Sequence, residues 1–294
     1  MDRWLRDYRR PRETTNRTNA AKLKAFRRDF ARRRLDDIDR PEARAWALEH
    51  RSALDAVRAM FTDAVNDGLA RSNPFAGLRL PGSRGRNDLE VLGEAEVQAL
   101  AETALHVSTH GPTIRTMIIF AAFCGVRRGE LFALEWGDLD LRDLEIHVRR
   151  RVDSHGAIDL PKNGRTRKIV LPPPARDALV AMPRRAGTEI VFTTPSGRGF
   201  TQTSWTYHWH PVRAAAGRPA MDFYELRHFC ATHLLERGLT PSDVAVQLGH
   251  TDGGRLVQEL YGHPSEDAAR ERVKRAFEAN VRQLRSVDDS VASR

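Results

Sequence analysis

Apolar positions recur with helical spacing through the first 80 residues of the chain. A segment over 20–34 interleaves Leu23, Phe26 and Phe30 with basic residues, and Thr18 or Asn19 stands where a cap belongs. A longer periodic segment over 40–68 carries Trp46, Leu54, Val57, Met60, Phe61 and Val65 on its apolar stripe, and Asn73-Pro74 stops it. The stretch Leu80-Pro81-Gly82-Ser83-Arg84-Gly85-Arg86 breaks the pattern and reads as a charged linker. Two more helices are predicted over 94–108 and 112–124. Three strand-like runs follow at 144–153, 157–161 and 167–171, separated by Ser154-His155-Gly156 and by the hairpin signal Asn163-Gly164. Beyond Pro172 helical spacing returns. The expectation is a mainly α fold with a small β-sheet: a helical domain at 1–80, a linker at 81–88 and a mixed α/β domain at 89–294.

Charge narrows the partners. The chain of 294 residues carries a formal net charge of +9 and has a pI near 10.2, which favours polyanions, either nucleic acid or an anionic membrane surface. Residues 1–34 hold thirteen Lys/Arg against four Asp/Glu, a surplus equal to that of the whole chain. A solvated Arg-rich surface is the plain alternative. The N-terminus has no apolar core of signal-peptide length, and the longest apolar run, 117–124, falls far short of the roughly 20 residues that a bilayer span needs. A soluble cytoplasmic protein, associated with the nucleoid and not with membrane, is expected. Cys124 and Cys230 both lie in apolar contexts and are expected as buried free thiols.

Four constellations carry chemistry. Gly125-Val126-Arg127-Arg128-Gly129-Glu130-Leu131 breaks one helix and starts another, with Arg127 and Glu130 on a shared face; an ordinary surface ion pair would look the same. Pro161-Lys162-Asn163-Gly164 sets a lysine at the mouth of a hairpin. Tyr224-Glu225-Leu226-Arg227-His228 places Tyr224 and Arg227 on one helix face. Thr240, Pro241 and Asp243 then open a capped helix that Gly249 closes, leaving His250 just past its end and Leu260-Tyr261-Gly262-His263 beyond.

In order and spacing these pieces resemble the catalytic boxes of the tyrosine recombinases of the phage integrase family, over about 87–265. The helical N-terminal region is similar, less distinctively, to the family's core-binding domain. The resemblance implies a two-domain architecture acting on double-stranded DNA, with protomers paired on inverted half-sites and assembled into a synaptic tetramer. Arg127 and Arg227 would grip the non-bridging oxygens of the scissile phosphate, and His250 would donate a hydrogen bond to it. Lys162 would protonate the leaving 5′-oxygen, Glu130 would support the scaffold, and Tyr261 would form a 3′-phosphotyrosyl bond. No cofactor or metal is implied. Accessory DNA-bending or directionality proteins are candidate partners. Two departures stand out. Tyr224 occupies a position where the family usually has histidine, and an ordinary tyrosine is a poor proton acceptor at neutral pH. Tyr261 lies eleven residues after His250, two more than is common, and the Asp252-Gly253-Gly254 region is expected to absorb the excess as a flexible loop.

His208-Trp209-His210 is a weak metal signature; Trp205, Tyr207 and Trp209 are expected to pack a helix instead. His228 and His233 read as structural. An amphipathic helix at 265–284, with Val273, Phe277 and Val281 on one side, either caps its own core or docks on a neighbouring protomer. The chain opens directly in the core-binding-like region, which leans towards a simple recombinase or a truncated or atypical integrase, without deciding between them. Three other readings remain. One is a non-catalytic helix-turn-helix regulator using 225–237 and 240–249; another is a degenerate recombinase that binds without cutting. The third is a type IB topoisomerase-like enzyme.

Overall fold

The computed structural model describes residues 1–81, 92–161, 164–261, 270 and 274, and its contacts gather into two units, Met1–Asp88 and Leu89–Arg294. In the first, helices α1 (Asp2–Asp7), α2 (Glu13–Phe30), α3 (Arg40–Glu49) and α4 (Leu54–Asn66) close around an aromatic cluster. Phe26 meets Trp46, Phe61 and Phe75 edge-on at 5.4, 5.8 and 6.0 Å, the arrangement that ring quadrupoles favour. The indole N–H groups are satisfied at the rim, Trp4 by Asp63 at 2.7 Å and Trp46 by Asp29 at 2.9 Å.

Two helix boundaries differ from expectation. α2 begins at Glu13 after an extended Arg12, and Thr18, expected as a cap, sits inside the helix with its hydroxyl on Thr14 O at 2.8 Å. The predicted helix over 40–68 is two helices. His50 leaves helical geometry, and a 3-10 turn at Arg51–Ala53 leads into α4. The His50 ring lies 4.7 Å from Trp46, and its Nε2 reaches Asp29 at 3.3 Å. Both helices still turn their apolar stripes to one core, so the periodicity runs through the break unmarked.

The second unit is organised by α6 (Gly111–Cys124). Ile114, Met117, Ile118 and Phe120 are wholly buried, as a helix apolar all round must be. Packed on it are α5 (Glu94–Val107), α8 (Pro173–Ala181) and α10 (Glu225–Glu236). α9 (Gln202–Ala215) lies against α5 and buries Trp205 and Trp209, stacked 5.7 Å apart. Tyr207, expected to join them, is 72% exposed: at 100° per residue, position 207 falls on the opposite face.

Strands β1 (Leu139–Asp140), β2 (Glu145–Val148) and β5 (Arg167–Val170) form one antiparallel sheet in the order β1-β2-β5, while β3 (Arg151–Val152) and β4 (Ile158–Asp159) pair separately. The run predicted over 144–153 is thus shared between two sheets. The partner of β5 is β2, with Ile146 opposite Ile169 and Val148 opposite Arg167, and not β4 as the Asn163-Gly164 signal implied. At the outer edge of β5 the Gln247 amide closes the ladder: its Oε1 accepts from Val170 N and its Nε2 donates to Val170 O, both at 3.0 Å. Cys124 and Cys230 are buried and form no disulfide, and burial pushes the Cys230 thiol up to about 12. Among the described residues no helix is long and apolar enough to cross a membrane.

Candidate active site

The site begins where α6 ends. Gly125 takes the left-handed conformation (φ 67°), and an added Cβ would strike the side chains of Leu248 and Cys230, so only glycine fits the turn. The chain re-emerges extended at Arg127, whose backbone N–H donates to Glu130 Oε2 at 3.0 Å, and α7 (Arg128–Phe132) starts there. Arg127 Nη1 also donates to Glu130 Oε1 at 3.1 Å. This is no surface pair, because Glu130 is 3% exposed.

Arg167, at the start of β5, completes the arrangement. Its two terminal nitrogens donate to the two Glu130 oxygens at 2.9 and 2.7 Å, the fork-to-fork geometry that makes guanidinium–carboxylate pairs strong. Burial alone would raise the Glu130 carboxyl, but the hydrogen bonds and charge of Arg167, with Arg127 behind them, bring it below the usual range. Arg167 was read from sequence only as a strand residue. Its one signal was a charge heading a run whose next inward position, Ile169, is apolar.

Arg227 rises from α10 and is 2% exposed. Its Nη1 donates to Gly125 O and its Nη2 to Leu248 O at 2.7 Å. It therefore ties together the carbonyl ends of α6 and of α11 (Pro241–Leu248), where helix dipoles favour a cation. Burial, and then repulsion from Arg127, lowers it to about 10, still charged at neutral pH.

α11 opens with Thr240 accepting from Asp243 N at 3.2 Å and closes at Gly249 (φ 69°), where an added Cβ would meet the Arg167 side chain. His250 N then donates to Ala245 O at 2.8 Å, the wrapped-back closure of a left-handed helix end. This sets His250 Nε2 2.9 Å from Arg227 Nη2. Arg227 can only donate, so Nε2 accepts and the ring's hydrogen is on Nδ1, which is buried and has no partner among the described residues. Burial, followed by the charges of Arg227 and Arg127, pushes His250 down to about 4. Unfolding releases that constraint, and the ring then protonates first in the unfolded chain. Relative to His250→Gln, the wild-type protein is expected to lose stability as pH falls from about 6.5 to about 4. Denaturant unfolding of both proteins across that window checks it, and parallel pH profiles would contradict it.

Tyr224 precedes α10 and is 46% exposed, its ring edge-on to His228 at 4.8 Å. It lines a cleft of about 420 Å³ with Arg127, Arg128, Arg151 and Arg227. Arg127 also borders a second hollow of about 220 Å³, with His250 and Lys168 on its wall. Lys162 lies outside the described residues. Tyr261 closes α12 (Arg255–Tyr261), which packs on α10 and α11 through buried Val257; its side chain is outside the described part. The expected helix at 265–284 is likewise outside it, apart from Arg270 and Lys274.

The extra residues before α12 form a hydrogen-bonded turn. Asp252 accepts from Gly254 N at 3.1 Å and Leu256 N at 3.2 Å, and Ser242 donates to Gly253 O at 3.1 Å. An added Cβ at Gly254 would touch the Pro241 backbone at 2.8 Å. His208 of the weak metal signature instead meets Ser108 Oγ at 3.1 Å.

Two guanidiniums, of Arg127 and Arg167, thus grip one buried carboxylate, with Arg227 and a neutral imidazole beside them and an open cleft in front. Such an arrangement has the chemistry to hold an anion with several oxygens, such as a phosphodiester. The model of the phage integrase family matches residues 90–268, and the chain belongs to that family. A tyrosine recombinase XerC-like protein of Caldanaerobacter subterraneus subsp. tengcongensis is 24% identical over 240 residues, 70% of this chain and 60% of the relative. The chain spans little more than half the length of the first curated relatives it matches. Its fold is that of the integrases. The Tn1549 transposon integrase, solved with a circular intermediate DNA, superposes with a TM-score of 0.77 at 18% identity, covering 93% of this chain and 97% of that one. A lambda integrase tetramer bound to a Holliday junction gives 0.65 at 19%, covering 86% and 77%.

Proposed function

We propose that the protein is a site-specific DNA recombinase that cuts and rejoins double-stranded DNA through a 3′-phosphotyrosyl bond at Tyr261. The convergence of Arg127, Arg227 and His250, from three separate stretches of chain, carries the reading. Arg127 and Arg227 hold the non-bridging oxygens of the scissile phosphate, where negative charge grows as phosphorus becomes five-coordinate. His250, set against Arg227, contributes a hydrogen bond to the same phosphate. The Tyr224 hydroxyl faces the same phosphate as a donor. Tyr261 gives its phenol proton to solvent as its Oη bonds to phosphorus, the bond to the 5′-oxygen breaks, and Lys162 supplies the proton that oxygen takes up. The bond energy is kept in the phosphotyrosine, so rejoining needs neither ATP nor metal. Glu130 and Arg167 fix Arg127 in place.

The unit at Met1–Asp88 serves as core-binding domain and that at Leu89–Arg294 as catalytic domain. The lambda integrase tetramer on its junction supports assembly of two DNA-bound dimers into a tetramer. The helix expected at 265–284 is the candidate contact between protomers. Accessory DNA-bending or directionality proteins fit the same role, which is exercised in the cytoplasm on the nucleoid.

The test is a trapping assay on nicked duplexes without metal or ATP. An SDS-stable adduct should form, and its digestion should yield a nucleotide-bearing peptide that contains Tyr261. A duplex that is bound but never joined to protein would leave a DNA-binding protein without catalysis.

A further inference from the structure

Arg128 is the second arginine of the Arg127-Arg128 pair, and the mechanism above gives it no part. Its side chain lines the same cleft as Arg127, Tyr224 and Arg227. It is half-buried, yet makes no hydrogen bond or ion pair among the described residues. Comparably enclosed arginines of this unit behave otherwise: Arg150 grips Asp138 at 3.0 Å, Arg151 grips Asp159 at 2.9 Å and Arg167 grips Glu130 at 2.7 Å. The acid whose charge acts on Arg128 is Asp222. No ion pair joins them, and Asp222 Oδ1 is committed to Tyr224 N at 2.8 Å.

Partial desolvation of a guanidinium without a partner is unfavourable, and here it lowers the pKa of Arg128. The backbone that carries Arg128 packs directly on β3: Gly129 sits so close to the strand that an added Cβ would strike Val152 O. The protein therefore keeps a poorly solvated, unneutralised cation beside the pair of arginines assigned to the scissile phosphate.

We infer that Arg128 forms a second phosphate subsite, taking the backbone phosphate next to the scissile one on the cleaved strand. The inference rests on the DNA-cutting reading above. Phosphates along a strand are spaced closely enough for consecutive side chains of one turn to serve neighbours. Paired contacts of this kind fix the strand's register, so that the scissile phosphate and not an adjacent one meets Tyr261.

The test uses a duplex retained by the protein from a random-sequence pool. Neutral methylphosphonate is placed at one phosphate at a time, and binding is measured in a Tyr261→Phe background to exclude cleavage. Arg128→Met, which keeps the apolar stem, should weaken binding about tenfold and flatten the salt dependence by about one counterion. Methylphosphonate beside the scissile position should cost the parent protein that same factor and cost Arg128→Met almost nothing further. An Arg128→Met protein with parental affinity and salt slope overturns the subsite. So does a scan in which every modification costs both proteins equally. If Arg128→Met fails to fold, the scan on the parent decides alone, and insensitivity next to the scissile phosphate overturns the inference. A pool from which nothing is retained removes the DNA-acting reading itself.

Discussion

Phenylalanine at position 261 is expected to abolish covalent protein–DNA adducts, a loss of at least about a thousandfold, while DNA affinity stays within about twofold. The substitution removes one oxygen and little else, so a loss of adduct with retained binding isolates the nucleophile. The chain has four tyrosines, which limits the alternatives. Tyr8 belongs to the other unit, and its hydroxyl donates to Asp67. Tyr207 stands on α9 and does not line the cleft. Tyr224 is the genuine rival, exposed in the cleft beside Arg127 and Arg227. Tyr224→Phe should still form adduct, more slowly, because it loses a donor and keeps the reacting group. Trapping the two variants side by side on one nicked duplex separates the roles. An adduct that survives in Tyr261→Phe and vanishes in Tyr224→Phe would exchange the assignments.

The second large effect concerns stability. Glu130→Ala should destabilise the second unit by about 3–5 kcal/mol, because it leaves the guanidiniums of Arg127 and Arg167 facing each other with no anion between them. For a unit of this size that is a fall in melting temperature of about 10 °C. Glu130→Gln should cost less, since the amide oxygen still accepts one of the two forks but carries no charge. Thermal unfolding with and without inorganic phosphate checks the account: phosphate should recover more stability in Glu130→Ala than in the wild type. Unchanged melting of Glu130→Ala would mean that the carboxylate does not hold the arginines.

Much of this was legible in the sequence, for reasons that differ by element. α6 was readable as an unbroken apolar run and α11 from its marked ends: Gly125 and Gly249 are left-handed caps, and Thr240 with Asp243 closes a capping box. Arg127, Arg227 and His250 could be picked out by order and spacing, but the contact between Arg227 and His250 spans 23 positions and leaves no periodic trace. Arg167 was missed for the same reason, as its partner Glu130 is 37 positions away. Strand pairing was the weakest reading. Asn163-Gly164 carries a sound local turn signal, yet β5 gains more by joining β2, where Ile146 and Ile169 share the core. The break at His50 was invisible because a kink that keeps both stripes facing one core does not disturb the pattern.

Gln247 has a consequence outside the active site. β5 is the last strand of its sheet, and a last strand normally offers unmet N–H and C=O groups to any extended peptide that drifts against it. Here a side-chain amide mimics one residue of a neighbouring strand, meeting both polar groups of Val170 and reaching on to Cys124 O at 3.3 Å. The sheet is thereby terminated from within the molecule, and growth by addition of a foreign strand is blocked at that point. Beside it Val170 and Val246 lie open to solvent, so a side chain at 247 unable to make both bonds would uncover an adhesive edge next to apolar surface, and the protein's tendency to clump at high concentration would rise.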